Sequence, residues 1–226
     1  EGPVWWVVLH GHGSCEDQLF TRRDLKEGWL PALRETGGGI LSPNLLGNSW
    51  MSPLAVDHLR ALLEWVRVEY GVRQFLFLGG SMGGTGVLFY SLQHPEDVAG
   101  AIVLGAVPAA AQYVRWGRAF PPGTIQREIA ETIEAAYGGP PERMPQVYAD
   151  RDARTRVDRL PPPLFLAHAT DDRLMPVDWM RELGAILRPG HFQRFYEVPG
   201  GHDAPLALAG EAVEWLWRMT NEKGED

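Results

Sequence analysis

The sequence predicts one domain of the α/β class over residues 1–226, built on a mostly parallel, doubly wound sheet of about six strands. Short apolar runs alternate along the chain with longer stretches of helical periodicity. The runs are apolar at successive positions, as strands buried on both faces of a parallel sheet are. A repeated order of strand and helix gives such a sheet with helices on both of its faces.

Six apolar runs are predicted to form the strands. They cover residues 4–9, 39–42, 75–78, 101–104, 164–167 and 192–198. Helices are predicted over residues 53–70, 85–92, 124–137, 176–188 and 204–219. In the first of these, the apolar residues spaced as one face of a helix, which ends before Gly71, are Leu54, Leu59, Leu62, Leu63 and Val66.

One connection is several times longer than the usual link between a strand and the next element. Nearly sixty residues separate the fourth predicted strand from the fifth. We expect residues from about 107 to 160 to form a small cap over the carboxyl ends of the strands, where open α/β sheets bind their ligands. Aromatic residues in such a cap more often cover core than touch ligand, and Tyr113 and Trp116 are the two expected to reach substrate.

Composition and charge argue against several classes of function. The chain has 21 basic and 29 acidic residues, a net charge of −8, and no basic run, so nucleic acid is not an expected partner. No apolar stretch approaches the length of a membrane-spanning helix. The single cysteine, Cys15, permits no internal disulfide, which favours a cytoplasmic compartment without establishing it. The chain opens at Glu1 with neither methionine nor a signal-peptide pattern, so we expect a trimmed or processed start.

A glycine-rich turn follows the third predicted strand and precedes a helical pattern. It contains Ser81 in the spacing G-x-S-x-G, with glycine at Gly79 and Gly83. A reactive serine needs a sharp, strained turn between strand and helix, and small residues two positions away on either side avoid clashes there. Ser81 is therefore predicted to be a nucleophile. The alternative is a phosphate-binding turn, which needs a Lys-Ser or Lys-Thr pair, or a second glycine where Ser81 stands.

A serine hydroxyl is a weak nucleophile unless a base removes its proton. Among the seven histidines, His202 both lies in a loop directly after a strand and follows a candidate acid, and it is the predicted base. The acid that orients the imidazole is expected in the loop after the fifth strand. Asp171 and Asp172 both lie in that loop, and their spacing does not decide between them.

Two backbone N–H groups are expected to stabilise the oxyanion that forms during acyl transfer. One belongs to Met82, which follows the nucleophile, and the other to the glycine-rich loop after the first strand, which contains His10 and His12. These two histidines could alternatively bind a metal, but position 14, where a third ligand would fall in register, is Ser14. A site of serine, histidine and aspartate needs neither metal nor cofactor, so none is expected.

These segments resemble the α/β-hydrolase superfamily, in particular its small esterases and carboxylesterase-like members. The resemblance covers nearly the whole chain and is carried by residues 10–13, 79–84, 168–176 and 201–202 in the order usual for the family. The family's usual stretch His-Gly-x-x-Asp-x-x-Val-Pro implies Asp172 as the catalytic acid beside Ser81 and His202. The same resemblance implies His12 as the second oxyanion donor.

The chain departs from the family's usual pattern in two places. The loop after the second strand commonly reads Asp-x-x-Gly-x-Gly-x-Ser, whereas here Asn44 stands at the aspartate and the loop ends at Trp50. Trp50 is therefore expected to line the floor of the pocket. The amino-terminal strands of larger members are missing, which predicts a small sheet or a chain that begins late.

The resemblance implies hydrolysis of a small-molecule carboxylic ester through an acyl-enzyme on Ser81, with water then activated at His202. An ester is favoured over an amide because its leaving group is better, and the aromatic cap suggests a short or aromatic acyl group. A peptidase or amidase with the same triad is the first alternative. A non-catalytic binding protein on this fold is the second, and the filled triad positions argue against it.

Overall fold

Six parallel strands form one sheet in the computed structural model, which describes residues 3–161, 163–187 and 193–221. The strands are β1 (Val4–Leu9), β2 (Gly39–Leu41), β3 (Gln74–Gly80), β4 (Val98–Leu104), β5 (Leu164–Ala169) and β6 (Gln193–Val198). They pair in the order β2-β1-β3-β4-β5-β6, with every neighbouring pair parallel. The predicted sheet is confirmed. Phe192, where the last strand was predicted to begin, lies outside the described residues.

The helices occupy the connections between the strands. They are α1 (Gln18–Thr21), α2 (Leu30–Glu35), α3 (Pro53–Tyr70), α4 (Met82–Gln93), α5 (Ala110–Gly117), α6 (Ile125–Tyr137), α7 (Pro145–Ala149), α8 (Val177–Ile186) and α9 (Ala209–Asn221). A π-helical turn, Leu25–Trp29, leads directly into α2. Within the described ranges, no helix has both the length and the apolar character that crossing a bilayer requires.

Apolar side chains cover both faces of the sheet because successive residues of a strand point to opposite sides. On β1, Trp6 faces the cluster formed with α1, α2 and α9, whereas Val7 faces the larger cluster formed with α3, α4 and α8. Leu76 and Phe77 divide in the same way on β3. The sheet is therefore buried on both sides, as its continuous apolar runs predicted.

The insert between β4 and β5 contains α5, α6 and α7. Its residues Tyr113, Ile133 and Tyr137 are buried in the same cluster as α3 and α4. The start of α6 also reaches the carboxyl edge of the sheet, where the Gln126 side chain donates to the backbone carbonyl of Arg173 at 3.1 Å. The insert is thus continuous with the core on one face of the sheet and extends over the edge at which the predicted site residues lie.

Candidate active site

Ser81 occupies a strained turn between β3 and α4. Its φ and ψ angles are 58° and −123°, a conformation that residues with a Cβ rarely adopt, and its N–H donates to the Leu104 carbonyl at 2.8 Å. A Cβ at Gly79 would lie 2.3 Å from the carbonyl carbon of Gly83, and one at Gly83 would lie 2.1 Å from the Leu9 carbonyl oxygen. The two flanking positions of the turn therefore have no space for a side chain.

Asp172 contacts His202 at the same edge of the sheet. The Asp172 Oδ2 atom lies 2.6 Å from His202 Nδ1. Asp171, the other candidate acid, is exposed, and its backbone N–H donates to the Gly200 carbonyl at 3.0 Å. That bond ties the loop after β5 to the loop after β6. The structure thus brings Asp172, and not Asp171, to His202, while their catalytic roles stay a prediction.

The carboxylate of Asp172 is buried and held by several donors. Its Oδ1 atom accepts the backbone N–H groups of Leu174 at 2.8 Å and Met175 at 2.9 Å. Burial alone would raise the pKa of Asp172, but the hydrogen bonds from His168 and His202 and that from Met175 hold it well below its usual range. An ionised Asp172 keeps the proton of His202 on Nδ1, which leaves Nε2 free to accept another.

His168 is a site residue to which the sequence analysis gave no role. It is 0% exposed, its Nε2 atom lies 2.7 Å from the Met175 carbonyl oxygen and 3.4 Å from Asp172 Oδ2. Because the carbonyl can only accept, Nε2 carries the proton. His168 opens the stretch that carried the resemblance to the α/β hydrolases, and this is the signal that could have identified it.

Ser81 and His202 line one cavity at the carboxyl edge of the sheet. Gly105 brings the two loops close, since a Cβ there would lie 3.4 Å from His202 Cε1, and its neighbour Leu104 binds the Ser81 N–H. Among the described residues no hydrogen bond joins the Ser81 hydroxyl to His202. Catalytic hydrogen bonds are often long or poorly aligned before substrate binds, so the geometry is compatible with a nucleophile and its base.

The loop after β1 is fixed on both sides of His12. The N–H of Gly11 donates to Gln18 Oε1 at 2.9 Å, and that of Gly13 donates to Asn48 Oδ1 at 2.7 Å. The N–H of His12 has no acceptor in the described part of the chain. That of Met82 lies in the first turn of α4, where N–H groups have no partner within the helix. Sequence reasoning missed the two amide side chains because no motif marks them.

The imidazoles of His10 and His12 face different groups. The Nε2 atom of His10 lies 2.6 Å from the Asn44 carbonyl oxygen. The Nδ1 atom of His12 accepts the indole N–H of Trp50 at 3.1 Å, and its Nε2 atom lies 3.4 Å from Glu128 Oε1. The pair considered as metal ligands is therefore directed at separate protein partners.

The cavity beside Ser81 has a volume of about 70 Å³ and is lined in part by the segment between β1 and β2. Besides Ser81 and His202, its wall from that segment includes Gln18, Leu19, Arg22, Leu25 and Trp29. The Arg22 guanidinium lies 2.8 Å from Asp24 and 2.9 Å from Asp203. The sequence analysis did not identify this wall because residues 18–29 contain no recognisable motif.

The three residues predicted to line the pocket lie elsewhere in the structure. Trp50 is 1% exposed and borders a separate cavity of about 20 Å³ next to Met82. Tyr113 is completely buried, with its ring centroid 5.8 Å from that of Trp50. Trp116 is partly buried and packs edge-on against Tyr113 at 5.5 Å. None of the three lines the cavity beside Ser81.

Comparisons with other sequences give the family. A family profile described as the alpha/beta hydrolase fold matches residues 7–138, more than half of the chain. A homoserine O-succinyltransferase from Halothiobacillus neapolitanus is 31% identical over 210 residues, which cover 87% of this chain and 46% of that protein. A proline iminopeptidase from Xylella fastidiosa is 29% identical over 102 residues, which cover 44% of this chain and 31% of that protein. The chain spans less than half the length of these curated relatives.

Comparisons with solved structures give the same fold. The fluorophosphonate-binding serine hydrolase FphF from Staphylococcus aureus has a TM-score of 0.71 at 18% identity, with 96% of this chain and 85% of that chain covered. A monoacylglycerol lipase from Paleococcus ferrophilus has a TM-score of 0.63 at 18% identity, covering 95% of this chain and 94% of that one. The chain belongs to the α/β-hydrolase family, and the resemblance seen in the sequence is confirmed.

Proposed function

We propose that this α/β hydrolase cleaves carboxylic esters through an acyl-enzyme on Ser81. The observation that carries the proposal is that two features lie at the same edge of the sheet. One is the strained turn that presents Ser81, and the other is the short contact between His202 and Asp172. Ser81 and His202 both line the cavity at that edge.

In the first step, Ser81 Oγ attacks the carbonyl carbon of the ester while His202 Nε2 takes the hydroxyl proton. Asp172, held ionised by its donors, stabilises the imidazolium through Nδ1. The tetrahedral intermediate then collapses, the bond to the alcohol oxygen breaks, and that oxygen takes the proton from Nε2. Water, deprotonated by His202, releases the acid by the same sequence of events.

The negative charge on the carbonyl oxygen needs donors that are in place before the reaction. The N–H groups of Met82, which follows Ser81, and of His12, in the loop after β1, are proposed to supply them, since no acceptor for either N–H lies in the described part of the chain. The amino-terminal dipole of α4 adds to this stabilisation.

The cavity supports a small substrate moiety. The cavity beside Ser81, of about 70 Å³, is proposed to hold a short acyl or alcohol group. Its inner wall is apolar at Leu19, Leu25 and Trp29. The burial of Tyr113 removes the reason to favour an aromatic acyl group, so a short aliphatic one is the substrate proposed.

Hydrolysis of p-nitrophenyl acetate and butyrate by the wild-type protein and its Ser81→Ala variant tests the proposal. Loss of one triad residue is expected to lower kcat by at least roughly 10³-fold. Ser91→Ala is the matched control, because Ser91 is a buried serine of the same helix whose hydroxyl donates to the Val87 carbonyl. Equal rates in all three proteins would refute the nucleophile assignment.

A second candidate is acyl transfer to a hydroxyl group other than water. The identity of 31% to a homoserine O-succinyltransferase over 87% of this chain favours it. This reaction passes through the same acyl-enzyme and differs only in the molecule that accepts the acyl group. Adding millimolar homoserine or simple alcohols to the ester assay separates the two, because a transferase would form the new ester in preference to the free acid.

A further inference from the structure

We propose that Trp50 is a positioning residue of the oxyanion hole, through its hydrogen bond to His12, and that the insert between β4 and β5 holds Trp50 in place. The inference rests on the proposed function, because it takes the backbone N–H of His12 as an oxyanion donor. In this proposal Trp50 affects the reaction without touching the substrate.

The bond between the two side chains has a defined direction. An indole N–H can only donate, so His12 Nδ1 accepts it at 3.1 Å and the proton of the neutral ring is on Nε2, facing Glu128. His12 lies between Gly11 and Gly13, and Gly13 has a φ of 74°. Glycine permits many backbone conformations, so the direction of the His12 N–H depends on the contacts that hold this loop. Among the described residues, the Trp50 bond is the one hydrogen bond that joins the His12 side chain to a buried residue.

Trp50 and the residue after it have backbone conformations that need support. Their φ angles are 49° for Trp50 and 55° for Met51, in the left-handed region that disfavours residues with a Cβ. Such conformations persist where the surroundings fix them. The Tyr137 hydroxyl donates to the Trp50 carbonyl at 2.6 Å, and Arg151 Nε donates to the Met51 carbonyl at 2.7 Å. Both donors belong to the insert.

The insert also holds this backbone through a buried cation, Arg151. Its side chain is 2% exposed, and burial lowers the pKa of its guanidinium. Within the described residues it forms no salt bridge, and its hydrogen bonds go to the backbone carbonyls of Met51 and Val147. The guanidinium also lies over the Tyr137 ring, 4.9 Å from its centroid. A buried cation directed at a strained backbone carbonyl fixes that carbonyl more strongly than a neutral donor does.

The test compares two tryptophan variants that each lose one buried indole hydrogen bond. Trp50→Phe removes the bond to His12, and Trp6→Phe removes a bond of 3.0 Å to Thr36 Oγ1 in the other core cluster. Removal of an oxyanion-hole donor lowers kcat by about 10²–10³-fold, so a donor that is present but wrongly oriented is expected to lower kcat by roughly tenfold. We expect that decrease for Trp50→Phe, with KM within about twofold of wild type, and no such decrease for Trp6→Phe.

Two further measurements separate positioning from a general loss of structure. Trp50→Phe is expected to weaken binding of an alkyl boronic acid, which forms a tetrahedral adduct with the serine, in proportion to its loss of kcat. In a His12→Ala background, which retains the backbone N–H, the same substitution should have little further effect on kcat. A full additional tenfold decrease there would show that Trp50 acts by another route.

A tyrosine pair keeps the inference testable if Trp50→Phe does not fold. Tyr137→Phe removes the donor to the Trp50 carbonyl, and Tyr148→Phe removes a bond of 3.0 Å to Gly139 within the same insert. We expect kcat to fall only in Tyr137→Phe. Equal kcat values for each variant and its control, in an active protein, would overturn the inference and leave the proposed function standing. A folded wild-type protein with no esterase activity would overturn both.

Discussion

The carboxylate of Asp172 is held by three groups besides its partner, and this fixes both its charge and the direction of His202. Two backbone N–H groups bind Oδ1, and His168 lies 3.4 Å from Oδ2. The consequence is a carboxylate that stays ionised far into the acid range. The direction of the Asp172 carboxylate toward His202 therefore depends on the backbone of the loop after β5 as well as on the two side chains.

Asp172→Asn should lower kcat for p-nitrophenyl acetate by roughly 10³–10⁴-fold, because an amide at this position can donate to Nδ1 and favours the wrong tautomer of His202.

The lowered pKa of Asp172 also predicts that the free energy of unfolding depends on pH. The contribution of Asp172 is complete above the ordinary aspartate pKa of about 3.9 and is lost as the pH falls below it toward the lower value of the folded state.

Urea unfolding of the wild-type protein and the Asp172→Asn variant at pH 6, 4 and 3 measures this. The difference between their free energies of unfolding should shrink from pH 4 to pH 3. A difference that stays constant over that interval would show that the pKa of Asp172 is not lowered by folding.

His168→Leu should lower the free energy of unfolding by about 1–3 kcal/mol, since it leaves the buried Met175 carbonyl without its donor. Urea unfolding at pH 7 measures the loss. His58→Leu is the matched control, because His58 is exposed on α3 and its replacement should change stability by less than about 0.5 kcal/mol. Equal stabilities of the two variants would remove the structural role assigned to His168.

Ser81 and His202 could be predicted from the sequence as nucleophile and base because the signals are local: a spacing of glycines in one case and a place after a strand in the other. The choice between Asp171 and Asp172 could not be made from spacing, because adjacent residues of a loop differ only in the direction of their side chains. That direction is set by the N–H groups of Leu174 and Met175, which turn Asp172 inward. No motif marks Gln18 or Asn48: Gln18 is seven residues from the glycine whose N–H it accepts, and Asn48 comes from a segment that meets the loop after β1 only in the folded chain.

Among the elements, the turn from β3 into α4 has the least freedom to vary. Gly83→Ala should prevent folding or severely destabilise the protein, because its Cβ would meet the backbone of Leu9 at 2.1 Å and a backbone cannot move aside cheaply. Gly86→Ala, one turn further along α4, meets only the side-chain ends of Met51 and Leu9 at 3.2 and 3.3 Å. Thermal unfolding of both variants decides the point. Comparable midpoints would contradict the packing described for the turn.

The helices differ in how well the sequence predicted them, for physical reasons. The helix predicted over 53–70 has those bounds in the structure because Ser52 caps its first turn, Pro53 begins it and Gly71, with a φ of 64°, ends it. The segment 18–35 was not predicted as helical, since α1 has four residues, α2 has six and a π-helical turn separates them. No stretch there is long enough to show a 3.6-residue period. The last predicted helix, 204–219, instead starts with a 3-10 segment, Ala204–Leu208, before α9.

In the whole molecule, the order of strands explains why the site forms where it does. Strands β3, β4, β5 and β6 are neighbours in the sheet as well as in the chain, so the loops that follow them meet at one edge. Ser81 follows β3, Asp172 follows β5 and His202 follows β6. This arrangement follows from a parallel sheet and could be predicted. The position of the cavity could not, because its wall comes from the segment after β1, on the face opposite to the insert.

Tyr113 and Trp116 of the aromatic insert were expected to reach substrate, but Tyr113 is buried in the core and Trp116 packs against it. An apolar residue in a long connection carries no sign of whether it will face solvent, substrate or another helix, and burial in the larger cluster stabilises Tyr113 and Tyr137. The insert reaches the site through hydrogen bonds to the 50–51 backbone and to the loops around it. Through these bonds the insert is tied to the loops after β2 and β5.

Ser81 is proposed to be an activated nucleophile, and labelling with an alkyl fluorophosphonate is the sharpest test of that role. The reagent reacts with a serine that has both a base and an oxyanion hole, whether or not the natural substrate is known. We expect one adduct per chain by intact mass, located on Ser81 by peptide mapping, and none in folded Ser81→Ala. No adduct on the folded wild-type protein, or undiminished labelling of Ser81→Ala, would refute the assignment of Ser81.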